Sequence, residues 1–250
     1  MPLLGLIGYP LSHSFSQRYF RARFARTGHA DWDYALFPIE TAGEMWQLWT
    51  DHPDLLGLNV TIPHKQAVLP FLDELHPTAR AIGAVNTIKR QDGRLVGYNT
   101  DVLGFETSLR RLLGPALSAA PPLRALVLGT GGASLAVRYI LDRLSIPFRT
   151  VSRSADRGDL RYAEVTPARL RDHRLVINTT PLGMAPHVAA APALPYAALT
   201  EHHFLYDLIY NPAETLFLEH GKRAGATTTN GLRMLELQAE AAWDIWTGGV

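Results

Sequence analysis

ALVLGTGGASLAVRYILDRL, residues 125–144, runs from a short apolar stretch through a glycine turn into an amphipathic segment. Strand, glycine turn and helix in that order mark the start of a βα unit. Gly129 permits the tight turn. Gly131 and Gly132 carry no Cβ, so the backbone N–H groups of the turn can approach a diphosphate at the positive end of the helix. Ser134 stands where the usual pattern has Gly or Ala, and is still small. Such a turn has two readings. It cradles a diphosphate, or it only lets strand and helix pack closely.

The following strand, Phe148–Val151, bears on that choice. It leads into TVSRSADR, residues 150–157. Dinucleotide folds that take NAD place an Asp or Glu at the end of this strand, to hold the ribose 2′-hydroxyl. Here Ser152, Arg153 and Ser154 stand in its place, with Arg157 behind them. A guanidinium can form two charge-assisted hydrogen bonds to a phosphate. The pattern favours NADP over NAD, against the plainer alternative of solvated loop arginines. Asp156 is the only carboxylate nearby.

Outward from this unit, further strands are expected at Leu175–Asn178, Phe204–Asp207 and Thr227–Thr229, with a helix near Ala213–Gly221. Before it, strands are expected at Leu3–Gly8, Tyr34–Pro38, Gly57–Thr61, Ala84–Arg90 and Leu95–Gly97. Helices are expected at Ser16–Thr27, Ala42–Trp49, near His64–Leu72 and over 102–113. Alternation of this kind predicts an α/β fold. Asp92-Gly93 between two strands signals a hairpin, so the first sheet is mainly, not purely, parallel. GPALSAAPPL, residues 114–123, reads as a connector. Leu232, Leu235, Ala239, Ala242, Trp243 and Trp246 recur at helical spacing and predict a closing helix. The expected organisation is two α/β domains around a cleft: residues 1–101 completed by 231–250, and a Rossmann-like unit over 102–230. The chain would cross at about 101 and 230, which suits a hinge.

The chain has 250 residues, 47% of them hydrophobic, enough for a substantial core. With 24 basic and 23 acidic residues and no basic block, nothing points to nucleic acid. Cysteine is absent, which excludes disulfides, thiolate catalysis and cysteine zinc sites. The histidines are scattered, so no metal site is expected; His13 and His64 read as structural. The opening segment is broken by Gly5, Gly8 and Pro10 and reads as neither leader nor membrane span. A cytoplasmic protein is expected.

The first half carries polar side chains at strand ends and turns. LNVTIPHKQAV, residues 58–68, alternates as a strand with one buried face, is stopped by Pro63, and then presents Lys65. Hydroxyls of Ser14, Ser16 and Thr61 can donate to a carboxylate. Asn86 can donate to and accept from alcohols. Lys65 and Asp101 supply a cation and a carboxylate, a pair able to hold an ammonium and pass a proton to a nascent alkoxide. Each also has a plain reading: Ser14 or Ser16 and Asp101 as helix caps, Asn86 and Asn99 as turn residues, Lys65 as a solvated surface charge.

In order along the chain, GYPLSHSFS (8–16), NVTIPHK (59–65), GAVNT (83–87), GYNTDVLG (97–104), GTGGAS (129–134), the SRS loop (152–154), NTTPLGM (178–184), DLIYNPAETLF (207–217) and NGLRMLELQA (230–239) resemble the shikimate dehydrogenase family over almost the whole length. The resemblance implies NADPH-dependent reduction of 3-dehydroshikimate to shikimate on the route to aromatic amino acids. It implies Lys65 and Asp101 as the catalytic pair. Ser14 and Ser16, with Tyr210 nearby, would take the substrate carboxylate. Thr61, Asn86 and Gln238 would meet the ring hydroxyls, with Lys65 and Asp101 reaching them too. Gly129–Ala133 would hold the cofactor diphosphate, and Ser152, Arg153, Ser154 and Arg157 the adenosine ribose phosphate. Leu208 and Gly231 would flank the nicotinamide. The chain departs from the family pattern at Gln17, where proline is usual, and at Ser152, where Asn is frequent. The competing expectations are an NAD-linked quinate/shikimate dehydrogenase, which would want an acid near residues 152–154, and a non-catalytic NADPH-binding regulator, which would not need both Lys65 and Asp101. A monomer or a homodimer fits equally.

Overall fold

A computed structural model describes residues 1–11 and 15–248. Its contacts divide the chain into two units, Met1–Thr100 with Ala239–Val250, and Asp101–Gln238. The second crossing falls inside the closing helix rather than at residue 231.

In the first unit six strands form one sheet: β1 (Leu3–Gly8), β2 (Asp33–Pro38), β3 (Leu55–Val60), β4 (Glu74–Leu75), β5 (Thr87–Gln91) and β6 (Arg94–Tyr98). Their order is β2-β1-β3-β5-β6-β4. β1 runs parallel to β2 and β3, and β4 parallel to β6, while β5 is antiparallel to β3 and β6. The expected hairpin is present. Asp92 (φ 52°) and Gly93 (φ 77°) both take the left-handed conformation that a two-residue turn of this twist requires.

Both faces of this sheet are covered. Ile7, Leu58 and Val60 pack with Met45 and Trp49 on one side, where α2 (Met45–Asp51) lies. Leu4 and Leu6 pack with Phe20, Phe24, Trp243 and Trp246 on the other. Phe20 and Phe24 come from α1 (Phe15–Arg26). The two tryptophans come from the closing helix α8 (Leu232–Thr247). β3 is therefore buried on two faces, not one as its alternation suggested, and Asn59 on the second face is 4% exposed.

Two more readings are corrected. No α-helix covers His64–Leu72; turns lead to a single 3₁₀ turn at Leu69–Phe71, because Pro70 in the interior lacks the backbone donor a helix needs. The strand expected from Ala84 begins at Thr87. Pro77–Ile82 forms a short helix, α3, ended by Gly83 at φ 71°.

The second unit opens with α4 (Asp101–Leu113). Its sheet contains β7 (Ala125–Leu128), β8 (Phe148–Ser152), β9 (Leu160–Arg161), β10 (Leu175–Asn178), β11 (Phe204–Asp207) and β12 (Thr227–Thr229), in the order β12-β11-β10-β7-β8-β9. All its pairings are parallel. Read from β9, this is the 3-2-1-4-5-6 order of doubly wound nucleotide folds, whose ligand crevice opens where the order reverses, between β7 and β10. The central strands β7, β10 and β11 are near-continuous apolar runs, as burial on both faces demands. Helix α5 (Gly132–Arg143) follows β7, α6 (Pro167–Asp172) precedes β10, and α7 (Leu216–Arg223) follows β11. α7 starts three residues later than expected because Thr215 caps it, accepting from the Leu218 N–H.

Candidate active site

In the first unit the polar residues converge through backbone as well as side chains. Beyond β3 the Thr61 N–H donates to the Ile7 carbonyl at 2.9 Å. A Cβ on Gly8 would stand 2.4 Å from the Thr61 methyl, so glycine there makes room for Thr61. The Lys65 carbonyl accepts from the Val85 N–H at 2.8 Å, which sets half-buried Lys65 beside the strand entry that carries Asn86. Asn86 is 2% exposed. Its Oδ1 accepts from the Thr100 N–H at 2.7 Å, and its Nδ2 donates to the Thr100 hydroxyl at 2.9 Å. Thr100 is the residue before Asp101. Three stretches distant in sequence thus meet: NVTIPHK, GAVNT and the start of GYNTD.

A buried hydrogen-bonded chain runs beneath them. The Tyr34 phenol donates to Asn59 Oδ1 at 2.7 Å. Asn59 Nδ2 donates to the Asn86 carbonyl at 3.3 Å and to the Thr87 hydroxyl at 3.2 Å, and that hydroxyl donates to Asn86 Oδ1 at 3.1 Å. Burial drives the Tyr34 phenol far above its ordinary pKa, partly offset by a hydrogen bond from the Ser16 hydroxyl. Ser16 therefore sits on the same chain as Asn86. Sequence reading missed Tyr34 and gave Asn59 no contact with substrate, because neither stands at a loop. Ser14 and His13 lie outside the described residues. His64 is structural: its buried Nε2 bonds to the Ile39 carbonyl at 2.8 Å.

In the second unit Asp101 is the first residue of α4 and 6% exposed. Tyr210 is half-buried after β11, and Gln238, 7% exposed, donates to the Leu235 carbonyl.

The glycine turn is built as a cradle. Gly129 has φ 105°, and a Cβ there would stand 2.8 Å from the Thr179 hydroxyl and 2.9 Å from the Thr180 methyl. Gly131 is the N-cap of α5 and makes no side-chain cap. A Cβ on it would meet nothing within 4 Å. Space is therefore open beside the N-terminus of α5, the end of a helix that can receive a phosphate. Ser134 is fully buried, and its hydroxyl donates back to the Gly131 carbonyl at 2.7 Å. That explains serine at this position.

After β8, Arg153 lines a cavity of about 500 Å³ with Arg161, Tyr162, Leu182, Ala191 and Ala193. Burial raises the Tyr162 pKa and the charge of Arg153 lowers it, and the buried phenol oxygen has no hydrogen-bond partner among the described residues. Arg161 and Tyr162 escaped sequence reading because β9, a two-residue strand, shows no periodicity. Ser152 is buried, its hydroxyl accepting from the Ser154 N–H at 3.2 Å. The Ser154 hydroxyl donates to Asp156 and, with the charge of Arg157 adding to it, holds that carboxyl below its ordinary range. Arg153 and Arg157 are exposed. An open N-terminal cradle, two arginines and an orphaned phenol fit a dinucleotide that carries an extra phosphate.

The two residues expected at the nicotinamide do meet. A Cβ on Gly231 would lie 2.0 Å from the Leu208 carbonyl oxygen, so only glycine fits. Beneath them Asp207 is fully buried. Burial raises its pKa to about 6, against bonds from Thr215, the Ile209 N–H and Asn178 that favour the charged form.

Among the described residues no cluster of His, Cys, Asp and Glu could hold a metal, and no helix is long and apolar enough to cross a membrane.

Residues 6–88 match the family model of the shikimate dehydrogenase substrate binding domain. The shikimate dehydrogenase (NADP(+)) of Salinibacter ruber is 42% identical, over 98% of this chain and 92% of its own. The shikimate 5-dehydrogenase of Thermus thermophilus, solved with NADP(H) and shikimate, superposes with a TM-score of 0.83 at 32% identity, over 99% of this chain and 94% of its own. A quinate dehydrogenase of Corynebacterium glutamicum, solved with NAD, superposes with a TM-score of 0.85 at 29% identity, over the same shares. With relatives this similar along nearly all its length, the chain belongs to the shikimate dehydrogenase family.

Proposed function

We propose that the chain reduces 3-dehydroshikimate to shikimate with NADPH, reversibly, on the way to chorismate and the aromatic amino acids. The unit containing residues 1–100 takes the substrate, and the unit 101–238 takes the cofactor. When bound, the nicotinamide supplies the hydride. The chain's own part is to bind, orient and move one proton. Lys65 passes that proton to the ketone oxygen as it becomes an alkoxide, and Asp101 holds the ammonium in place. Ser14 and Ser16 with Tyr210 receive the carboxylate. Thr61, Asn86 and Gln238 receive the ring hydroxyls. Gly129, Thr130, Gly131, Gly132 and Ala133 hold the diphosphate. Ser152, Arg153, Ser154 and Arg157 hold the ribose phosphate, for which Ser154 exchanges its bond to Asp156. Leu208 and Gly231 flank the nicotinamide.

The observation that carries this reading is the meeting of Lys65, Asn86 and Thr100. It brings a proton carrier, a hydroxyl reader and the residue leading into Asp101 onto one framework. An NAD-linked quinate dehydrogenase is disfavoured by Ser152 at the end of β8 and Arg153 beside it. A non-catalytic regulator is disfavoured by the presence of both Lys65 and Asp101. The protein acts in the cytoplasm, as a monomer or homodimer, without nucleic acid or membrane.

The test is turnover with NADPH and 3-dehydroshikimate beside NAD and quinate. Loss of NADPH absorbance with the first pair is expected; none would sink the proposal. Lys65→Ala should still bind shikimate while turnover falls by about 10²–10⁴. Unchanged turnover would remove Lys65 from the mechanism.

A further inference from the structure

Asp207 ends β11, fully buried, and no cation among the described residues lies within ion-pair distance of it. A buried, unpaired carboxylate is a poor device for stability, since an apolar side chain would avoid its desolvation. Its surroundings show what it does instead. Three donors face it: Asn178 Nδ2 at 3.1 Å, the Ile209 N–H at 3.0 Å and the Thr215 hydroxyl at 2.6 Å. Each donor stands at or beyond the carboxyl end of β10 or β11.

Asn178 ends β10. With its amide nitrogen turned to Asp207, its Oδ1 faces away and accepts from the Thr180 N–H at 3.0 Å and the Thr180 hydroxyl at 2.7 Å. A flipped amide would set oxygen against carboxylate and lose Thr180. Thr180 in turn borders Gly129 of the phosphate cradle. On the other side, the Leu208 N–H donates to the Asn178 carbonyl at 3.0 Å, and the Gly231 N–H donates to the Ile209 carbonyl at 3.0 Å. The Thr215 hydroxyl gives its proton to Asp207 while it caps α7. One carboxylate thus sets the loops after β10 and β11, with the Gly231 turn docked on the second.

We infer that Asp207 is a positioning residue for the nicotinamide end of the cofactor, acting through Asn178, Thr215 and the Leu208–Ile209 backbone. This rests on the reading that Leu208 and Gly231 flank the nicotinamide. Fully buried, Asp207 would act without touching substrate or cofactor.

The test compares NADP⁺ with adenosine 2′,5′-bisphosphate, which carries the ribose phosphate end without the nicotinamide. Dissociation constants are measured on the full chain for wild type, Asp207→Asn and Leu208→Ala. In Asp207→Asn, the binding of NADP⁺ should weaken about tenfold, that of the bisphosphate by less than about twofold, and the deuterium isotope effect on turnover should rise. Equal weakening of both ligands, or of neither, while Leu208→Ala weakens NADP⁺ selectively, would overturn the role of Asp207. If Leu208→Ala also spares NADP⁺, the nicotinamide reading itself has failed, and the role of Asp207 falls with it. Should Asp207→Asn not fold, Thr215→Val replaces it with the same outcomes, and Thr215→Ser should restore wild-type binding.

Discussion

The phenol of Tyr34 donates to the side-chain oxygen of Asn59 across 2.7 Å, in a layer of the first sheet that no solvent reaches. The pair lies between Ser16 and Asn86, so it links the proposed carboxylate end of the substrate site to its hydroxyl end. Removing the phenol oxygen strands a buried acceptor and leaves Ser16 without its partner.

Tyr34→Phe should therefore cost about 1–3 kcal/mol of stability in urea unfolding. It should also raise KM for 3-dehydroshikimate several-fold, with KM for NADPH unchanged. A variant with wild-type stability and wild-type substrate KM would show that the chain of hydrogen bonds is idle.

Arg153→Ala should lower kcat/KM with NADPH about tenfold, the loss of an exposed charge-assisted hydrogen bond pair. Turnover with NADH should barely move. The ratio of the two cofactors is the measurement, and an equal fall with both would detach Arg153 from the extra phosphate.

Gly57 has ordinary backbone angles but no room for a side chain. A Cβ there would sit 2.1 Å from the Trp246 indole nitrogen and 2.8 Å from the Ile88 carbonyl. Gly57→Ala must push the indole aside and break its 2.9 Å bond to Ile88. A loss of about 2 kcal/mol or more is expected, with a changed near-ultraviolet tryptophan signal. Unaltered Tm would show that the closing helix shifts freely.

Asp207 ties stability to pH. Its pKa rises from 3.8 to about 6 on folding, so between those values the folded chain holds the proton more tightly. The stabilisation is full below about pH 4 and is lost as pH rises through about 6, a swing of about 3 kcal/mol. Carboxylates held low, such as Glu44 with its bonds from Thr41, act in the opposite sense and cancel when wild type is compared with Asp207→Asn. The stability difference between the two should shift toward the variant from pH 4 to pH 7. A flat difference would mean that Asp207 titrates as an ordinary aspartate.

The parts of this fold legible in the sequence were those set by local rules. The glycine turn, the Asp92-Gly93 hairpin and the spacing of Trp243 and Trp246 each report on neighbours a few residues apart. His64–Leu72 misled because the segment is long enough for a helix while Pro70 in its interior breaks one. β9 and α6 escaped because they are too short to show a period. Asp207 was read as a strand end and nothing more, since its partners Asn178 and Thr215 are brought to it only by the β10–β11 pairing. Tyr34 was hidden likewise: a buried tyrosine in a strand looks like core until its hydroxyl is seen to have a partner.

The indole of Trp246 lies under β3 and bonds to the Ile88 carbonyl beside it. A ribosome makes β3 nearly two hundred residues earlier. During synthesis the second unit, continuous from 101 to 238, can complete itself first. The sheet begun at Leu3 must wait with one aromatic layer missing, an exposed apolar surface of the kind that chaperones hold. Of the two units, the one begun earlier is the one finished later.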